Sequence, residues 1–159
     1  MLRKRPAEKA DIKYIMKNLS AVSAGELEAA RASAENTARS LAALLKVHGG
    51  VTILDRAEPI AVLLMMPTRD PRLMSTAFMA TEKFFGAAWK PTRFLRRHLD
   101  ARMASLPGVS LRSTTFSTHP QLARWFRLMG YGEPQTEGAS HTFFRRPSDI
   151  EPAAPSSPA

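Results

Sequence analysis

The side chains best suited to bind a charged ligand are basic, and many of them fall in one stretch, residues 90–127. Asp100 is the one acidic residue of this stretch. Its eight bases are Lys90, Arg93, Arg96, Arg97, Arg102, Arg112, Arg124 and Arg127. Because such a cluster concentrates phosphate-bearing molecules, it predicts a nucleotide, coenzyme, nucleic acid or anionic lipid as partner. The same charges also suit a solvated surface, so charge alone names no ligand.

The remaining candidates for chemistry are few. The chain has four histidines, and none of them has the helical spacing or the neighbouring carboxylate of a metal site, so we expect no metal. His48 precedes Gly49 and Gly50 at a predicted helix end, where it would interact with the helix dipole. The absence of cysteine excludes disulfides, thiolate metal ligands and cysteine nucleophiles. No phosphate-binding loop, nucleotide fingerprint or serine elbow occurs.

The composition favours a single globular domain. The chain has 159 residues, of which 44% are hydrophobic, and a net charge of +9. No apolar run approaches the roughly 20 residues that cross a bilayer, so we expect no membrane association. The charged start of the chain lacks the apolar stretch of a signal peptide, so we expect a cytoplasmic protein.

The elements that would position these side chains begin with helices. Apolar spacing over residues 11–20 predicts a first helix with Asp11 as its N-cap. Ser23 and Glu26 have the spacing of a capping box, and an alanine-rich stripe follows them up to Leu45. We therefore expect one long helix here, ended by Gly49 and Gly50.

Strands and further helices then alternate. Residues 51–55 and 60–66 predict a β-hairpin, and residues 73–80 predict another strand. The later predictions are a helix from Pro91 to Leu106, a strand over 109–116, a helix that Thr118 caps, and a final strand over 141–145. This order indicates a single α+β domain over residues 1–146. Its helices and one mixed sheet would form three layers, an α/β arrangement. Residues 147–159, rich in Pro, Ser and Ala, predict a disordered tail.

Two segments together resemble the GNAT superfamily of acyl-CoA-dependent N-acyltransferases. The start Arg5-Pro6-Ala7-Glu8-Lys9-Ala10-Asp11-Ile12 is similar to the passage from the family's first strand to its first helix, with residues 2–5 as a short edge strand. Residues 117–131 are similar to its strand-helix segment, in which an Asn-Pro begins the helix and Gly-Phe closes it. The resemblance spans residues 3–146 and implies a mixed, mostly antiparallel sheet flanked by about four helices.

The resemblance also implies a function and a site. The protein would be an N-acyltransferase (N-acetyltransferase-like) that uses acetyl-CoA or another acyl-CoA as co-substrate and an amine as acceptor. The pantetheine arm would pair with the backbone of Ala77, Phe78, Met79 and Ala80. The phosphates would meet Lys83, Gly86, Ala87, Ala88, Lys90 and Arg93. Glu82 would act as the base that deprotonates the amine, and His119, which aligns with the family's Asn, is a weaker catalytic candidate.

Two departures fall on the chemistry. Residues 81–92 lack the family's Arg/Gln-x-x-Gly-x-Gly/Ala motif, and Phe84, Phe85 and Trp89 are bulky enough to obstruct a close approach of phosphates to the backbone. The tyrosine that protonates the departing thiolate in many members aligns with Phe126, and a phenyl ring has no proton to give. These positions are therefore interpreted as degenerate.

A second interpretation follows from the same departures. The chain also resembles, more loosely, the GNAT-like proteins that short-tailed bacteriophages encode, some of which are internal virion proteins. A non-catalytic virion or accessory protein of this kind would use its basic face to bind DNA or another virion protein, in the host cytoplasm or the virion. The edge of the final strand would suit a homodimer under either interpretation.

Overall fold

The computed structural model describes residues 1–86 and 89–147, which form seven strands and six helices. The strands are β1 (Leu2–Pro6), β2 (Val51–Asp55), β3 (Glu58–Pro67), β4 (Leu73–Ala80), β5 (Ser110–Thr115), β6 (Gln135–Glu137) and β7 (Ser140–Arg145). The helices are α1 (Lys9–Lys17), α2 (Ala21–Ala29), α3 (Ala34–His48), α4 (Glu82–Gly86), α5 (Lys90–Ala104) and α6 (Pro120–Leu128). None of the described helices is long and apolar enough to span a membrane.

All seven strands form one sheet in the order β1-β2-β3-β4-β5-β7-β6. Every neighbouring pair is antiparallel except β4 and β5, which are parallel. Parallel neighbours need a crossover connection, and the segment that holds α4 and α5 provides it. The prediction of a mixed, mostly antiparallel sheet is confirmed.

The sheet carries an apolar core on each face. On one face, side chains of α1 and α3 pack against Val62 and Leu64 of β3. On the other face, side chains of α5 and α6 pack in a cluster with Ala61 and Leu63. Successive residues of β3 thus serve opposite faces, as the pleat of a strand requires. This arrangement confirms the predicted three layers.

The helices number six among the described residues, rather than about four. The long helix predicted after Ser23 is two helices, because the backbone of Arg31 takes a left-handed conformation with φ of 53°. The hydroxyl of Ser33 then accepts a hydrogen bond from the Asn36 N–H at 3.1 Å and starts α3. The short α4 is the other addition, and the strand β6 was also absent from the prediction.

Three predicted helix caps are displaced by about one turn or less. Glu8, not Asp11, is the N-cap of α1, and Asp11 accepts from the Glu8 N–H at 2.9 Å as the third helical residue. Ser20, not Ser23, caps α2, and His119, not Thr118, caps α6. In each case a neighbouring polar residue takes the cap, and Asp11 and Ser23 instead accept hydrogen bonds from the N–H groups of Glu8 and Ala80. Of the predicted disordered tail, residues 148–159 lie outside the described residues.

Candidate functional site

The sheet opens between its two parallel strands. β4 pairs with β3 along seven positions, from Met74 to Ala80, but with β5 only over Leu73–Ser75. The Arg72 carbonyl accepts from Ser110 on the β5 side, whereas the Thr81 N–H bonds to β3. Because backbone groups alternate along a strand, those of Thr76 and Phe78 also face β5. The edge of β4 beyond Ser75 therefore borders a gap.

Helix α2 lies across the open end of this gap. Its N-cap Ser20 donates its N–H to the Ala80 carbonyl at 2.9 Å. The Ala80 N–H in turn donates to the Ser23 hydroxyl at 3.1 Å. One turn further on, Glu26 accepts a hydrogen bond from the hydroxyl of Thr115, at the end of β5, at 2.5 Å. The helix thus connects the ends of the two parted strands.

Glu26 is the carboxylate that the structure places at the gap. Burial raises its pKa, and the hydrogen bond from Thr115 opposes that rise only in part. A carboxylate with a raised pKa is a stronger base than an exposed one. The spacing from Ser23 predicted only a capping role for Glu26 and gave no sign of this position, because Thr115 lies 89 residues away along the chain.

A phenol lies near the closed end of the gap, although the position that aligned with the family's tyrosine is Phe126. Phe126 is core: its ring stacks on Phe143 at 4.1 Å between centroids. Tyr131 packs edge-on against Phe126 and is itself buried. Burial raises the pKa of Tyr131, and the Thr76 hydroxyl, on β4, counteracts that rise. The phenol therefore stays protonated at neutral pH.

The two residues predicted to be catalytic both cap helices. Glu82 accepts a hydrogen bond from the Ala21 N–H at 2.6 Å, at the first turn of α2. It therefore lies at the same open end of the gap as Glu26. His119 accepts from the Gln121 N–H through Nδ1 at 3.1 Å, at the start of α6.

Basic side chains gather at the first turn of α5. Lys90 and Arg93 are exposed there, and the guanidinium of Arg124 lies 5.5 Å from the centre of the Trp89 ring. The hydroxyl of Thr92 is buried in the same turn and has no hydrogen-bond partner among residues 1–86 and 89–147. The positive end of the helix dipole and the exposed cations together suit a phosphate.

The other predicted phosphate ligands have different surroundings. Lys83 forms an ion pair with Glu58, at the start of β3, so its charge is already engaged. Gly86 has open space where a side chain would lie. Ala87 and Ala88 lie outside the described residues.

The aromatic residues expected to obstruct the phosphate turn point inward. Phe84 is fully buried and Phe85 nearly so. Their rings pack edge-on against each other and against Trp125, which stacks on Phe78 at 4.7 Å. The expectation that Phe84 and Phe85 block the turn is therefore wrong, because the core holds both rings. Trp89 is half-buried beside Arg124.

Comparison with solved structures places this architecture in a known fold. No protein-family model matches the sequence, and no curated protein sequence matches it significantly. A GNAT-superfamily phosphinothricin acetyltransferase from Sinorhizobium meliloti, in complex with AcCoA, is similar at 16% identity and a TM-score of 0.60; the match covers 91% of this chain and 88% of that one. A spermidine N-acetyltransferase chimera from Vibrio cholerae and hSSAT is similar at 13% identity, a TM-score of 0.65 and coverages of 92% and 95%.

A third similar structure is the ribosomal L7/L12 α-N-protein acetyltransferase RimL in complex with coenzyme A, at 11% identity and a TM-score of 0.63, with coverages of 91% and 93%. The chain therefore has the fold of the GNAT superfamily of acetyltransferases. The three proteins carry three different acceptors in their names, so the fold does not specify an acceptor. The similarity gives no support to the phage-encoded branch.

Proposed function

We propose that this protein transfers an acyl group from an acyl-CoA to an amine. The observation that carries the proposal is the gap between β4 and β5, with the half-buried carboxylate of Glu26 at its open end. Two of the structures with the same fold are complexes with AcCoA or coenzyme A, which supports the choice of co-substrate.

The described residues fit a coenzyme at two places. The backbone of Phe78 faces the gap and offers the pantetheine arm a strand edge, whereas the N–H and carbonyl of Ala80 are both engaged by α2. The first turn of α5 offers the phosphates the positive end of its dipole, backbone N–H groups at positions other than Pro91, and the charges of Lys90 and Arg93. This assignment keeps Phe78, Lys90 and Arg93 from the predicted set.

The transfer requires one proton acceptor and one proton donor. The amine nitrogen bonds to the acyl carbon as the bond from that carbon to sulfur breaks, and the coenzyme leaves as a thiolate. The carboxylate of Glu26 takes the proton that the amine loses, directly or through one water. The phenol of Tyr131, protonated beside Thr76, supplies the proton that the thiolate gains. Most of the rate enhancement would come from holding the amine next to the thioester.

Calorimetric titration with acetyl-CoA tests the binding step. We expect saturable binding that Lys90→Ala combined with Arg93→Ala weakens by about tenfold, since an exposed charge pair contributes up to about 1 kcal/mol. Arg97→Ala, an exposed arginine on the same helix, is the control and should leave binding close to that of the unmodified protein. Absence of binding by the unmodified protein would refute the proposed function.

Release of coenzyme A thiol from acetyl-CoA, measured with a panel of amines, tests the chemical step. The panel takes phosphinothricin, spermidine and a peptide with a free N-terminus. Glu26→Gln should lower kcat by about 100-fold or more, the usual contribution of a general base. Glu28→Gln, on the exposed side of α2, is the matched control and should retain activity. If Glu82→Gln abolishes turnover while Glu26→Gln retains it, Glu82 is the base and the assignment to Glu26 is wrong.

A further inference from the structure

A second pocket lies away from the gap, beneath the last two turns of α5. It is a cavity of about 170 Å³ between the end of α3, the start of β2, β3 and α5. Its lining consists of His48, Gly49, Gly50, Val51, Leu63, Met65, His98 and Arg102. The lining therefore combines basic side chains with apolar ones, and no acidic side chain of the described residues contributes to it.

Basic side chains of α3 and α5 line this pocket, and Lys4 of β1 contacts one of them. Lys4, on β1, donates a hydrogen bond from Nζ to Nδ1 of His98 at 3.1 Å. Since Nδ1 accepts this bond, the neutral ring carries its proton on Nε2, which leaves that N–H free to donate. Arg102 lies one turn further along α5, and His48 approaches from the end of α3.

No counter-charge accompanies these groups. Within residues 1–86 and 89–147, no salt bridge involves Lys4, His48, His98 or Arg102. Burial lowers the pKa of His98, and the nearby charges of Lys4 and Arg102 lower it further. Like charges held this close repel one another, and an anion between them would convert that repulsion into attraction.

We propose that this pocket binds a phosphomonoester, with the phosphate against His98, Arg102 and His48, and the ester group against Val51, Leu63 and Met65. The donors approach from α3 and α5, which suits the tetrahedral oxygens of a phosphate better than the planar oxygens of a carboxylate. The apolar side chains have no role in binding a bare ion, so they select an anion with an organic substituent.

The site is distinct from the phosphate site proposed at the start of α5. His98 and Arg102 follow Lys90 by 8 and 12 residues, which places them about 12 and 18 Å further along the helix axis. The proposal therefore does not depend on acyl-CoA binding, and each can fail without the other.

Titration of the full chain with inorganic phosphate and with phenyl phosphate, in a buffer of low ionic strength that contains neither, tests the proposal. Phenyl phosphate should bind more tightly than inorganic phosphate, and both should raise the pKa of His98 as followed by the NMR signals of its ring. Arg102→Gln should weaken the binding of phenyl phosphate by about tenfold. Arg97→Gln, which removes an equally exposed arginine outside the pocket, should leave the affinity unchanged.

Three results would overturn the proposal. The first is a lack of saturable binding of both anions at concentrations on the order of 10 mM. The second is an equal weakening by Arg102→Gln and Arg97→Gln, since it would show diffuse attraction to the basic surface. The third is an inorganic phosphate affinity that matches or exceeds that of phenyl phosphate, since the apolar side chains would then have no part in recognition.

Discussion

Two carboxylates that the fold shields from solvent lie in different parts of this molecule and are held in opposite ways: Asp11 is buried and Glu26 is half-buried. Asp11, on α1, accepts four hydrogen bonds, from β1, β2 and the residue before the helix. The donors are Arg5 Nη1 at 2.8 Å, Arg5 Nη2 at 2.7 Å, the Glu8 N–H at 2.9 Å and the Thr52 hydroxyl at 2.8 Å. Glu26, between β4 and β5, accepts a single bond among the described residues, from Thr115. This difference in the number of hydrogen bonds shifts the pKa values of the two carboxylates in opposite directions.

Burial alone would raise the pKa of Asp11, but the hydrogen bonds from Arg5, Glu8 and Thr52 lower it below its ordinary value of 3.8. For Glu26, burial prevails, and the pKa lies above its ordinary value of 4.5. A fully paired buried carboxylate stabilises the fold, whereas a poorly paired one costs stability. Natural proteins accept such a cost mainly at functional sites, so the contrast separates a structural carboxylate from a candidate base.

The largest expected effect comes from neutralising each carboxylate in turn. Asp11→Asn should lower the free energy of unfolding by about 2 kcal/mol, because it removes charge-assisted hydrogen bonds from a buried group. Glu26→Gln should leave that free energy unchanged or raise it, because the ionised group is the costly one at neutral pH. Urea denaturation at pH 7.5 measures both.

An equal loss of unfolding free energy in the two variants would contradict the contrast between Asp11 and Glu26. A loss of about 2 kcal/mol in Glu26→Gln would mean that the hydrogen bond from Thr115 fully compensates for burial. Glu26 would then be a structural residue that connects α2 to β5. Stability data alone would suffice to reject it as the base.

The environment of Asp11 could be predicted from the sequence in part, because most of it is local. Asp11, Glu8 and Arg5 lie within seven residues, and the family resemblance already marked that segment. Asp11 was nevertheless predicted to be the N-cap, because an acidic residue before an apolar run fits either the cap or the third helical position. Thr52, its fourth donor, comes from a strand that only the folded sheet brings near.

The candidate site could not be predicted to the same extent. The resemblance anticipated a mixed, mostly antiparallel sheet, but neither the strand order nor the pair that is parallel was predicted. The role of Glu26 depends on where α2 ends up, and that depends on the break at Arg31, where no glycine or proline marks the turn. Tyr131 likewise gains its surroundings from β4, 55 residues earlier in the chain. Long-range packing therefore decided the residues that sequence patterns missed.

The pH dependence of the unfolding free energy also distinguishes Asp11 from Glu26, because the two carboxylates should change it in opposite directions. The pKa of Asp11 is lower in the folded state than in the unfolded one. Its stabilisation is therefore complete above about pH 4 and is lost as the pH falls from there through the lowered pKa. The pKa of Glu26 is higher in the folded state, so stability decreases as the pH rises from 4.5 through the raised pKa.

Urea denaturation from pH 3 to pH 8 resolves the two contributions. The difference in stability between the unmodified protein and Asp11→Asn should shrink below pH 4. Protonation of Asp11 then progressively removes the negative charge that the Asn side chain lacks. The difference between the unmodified protein and Glu26→Gln should instead shrink towards pH 4.5 and grow above it. Parallel curves for all three proteins would show that neither carboxylate has a shifted pKa.

The smallest expected effect is that of replacing the two threonines that donate hydrogen bonds to these carboxylates. These two substitutions are also the most closely matched pair. Thr52→Val and Thr115→Val remove the same hydroxyl from two buried strand positions. Thr52→Val should cost about 1 kcal/mol, the value of one hydrogen bond, because Asp11 keeps three other donors. Thr115→Val removes the one described donor to Glu26, so it should raise the pKa of Glu26 further.

That further rise is the measurement that separates the two positions. Under the proposed function, the acidic limb of the pH–rate profile should move to higher pH in Thr115→Val, because Glu26 must be ionised to accept a proton. Thr52→Val should leave the limb in place, since Asp11 has no part in transfer. A shift of equal size in both variants would show that the limb reports a general loss of structure. An unmoved limb in Thr115→Val would assign it to a group other than Glu26, and the contrast between the two carboxylates would then concern stability alone.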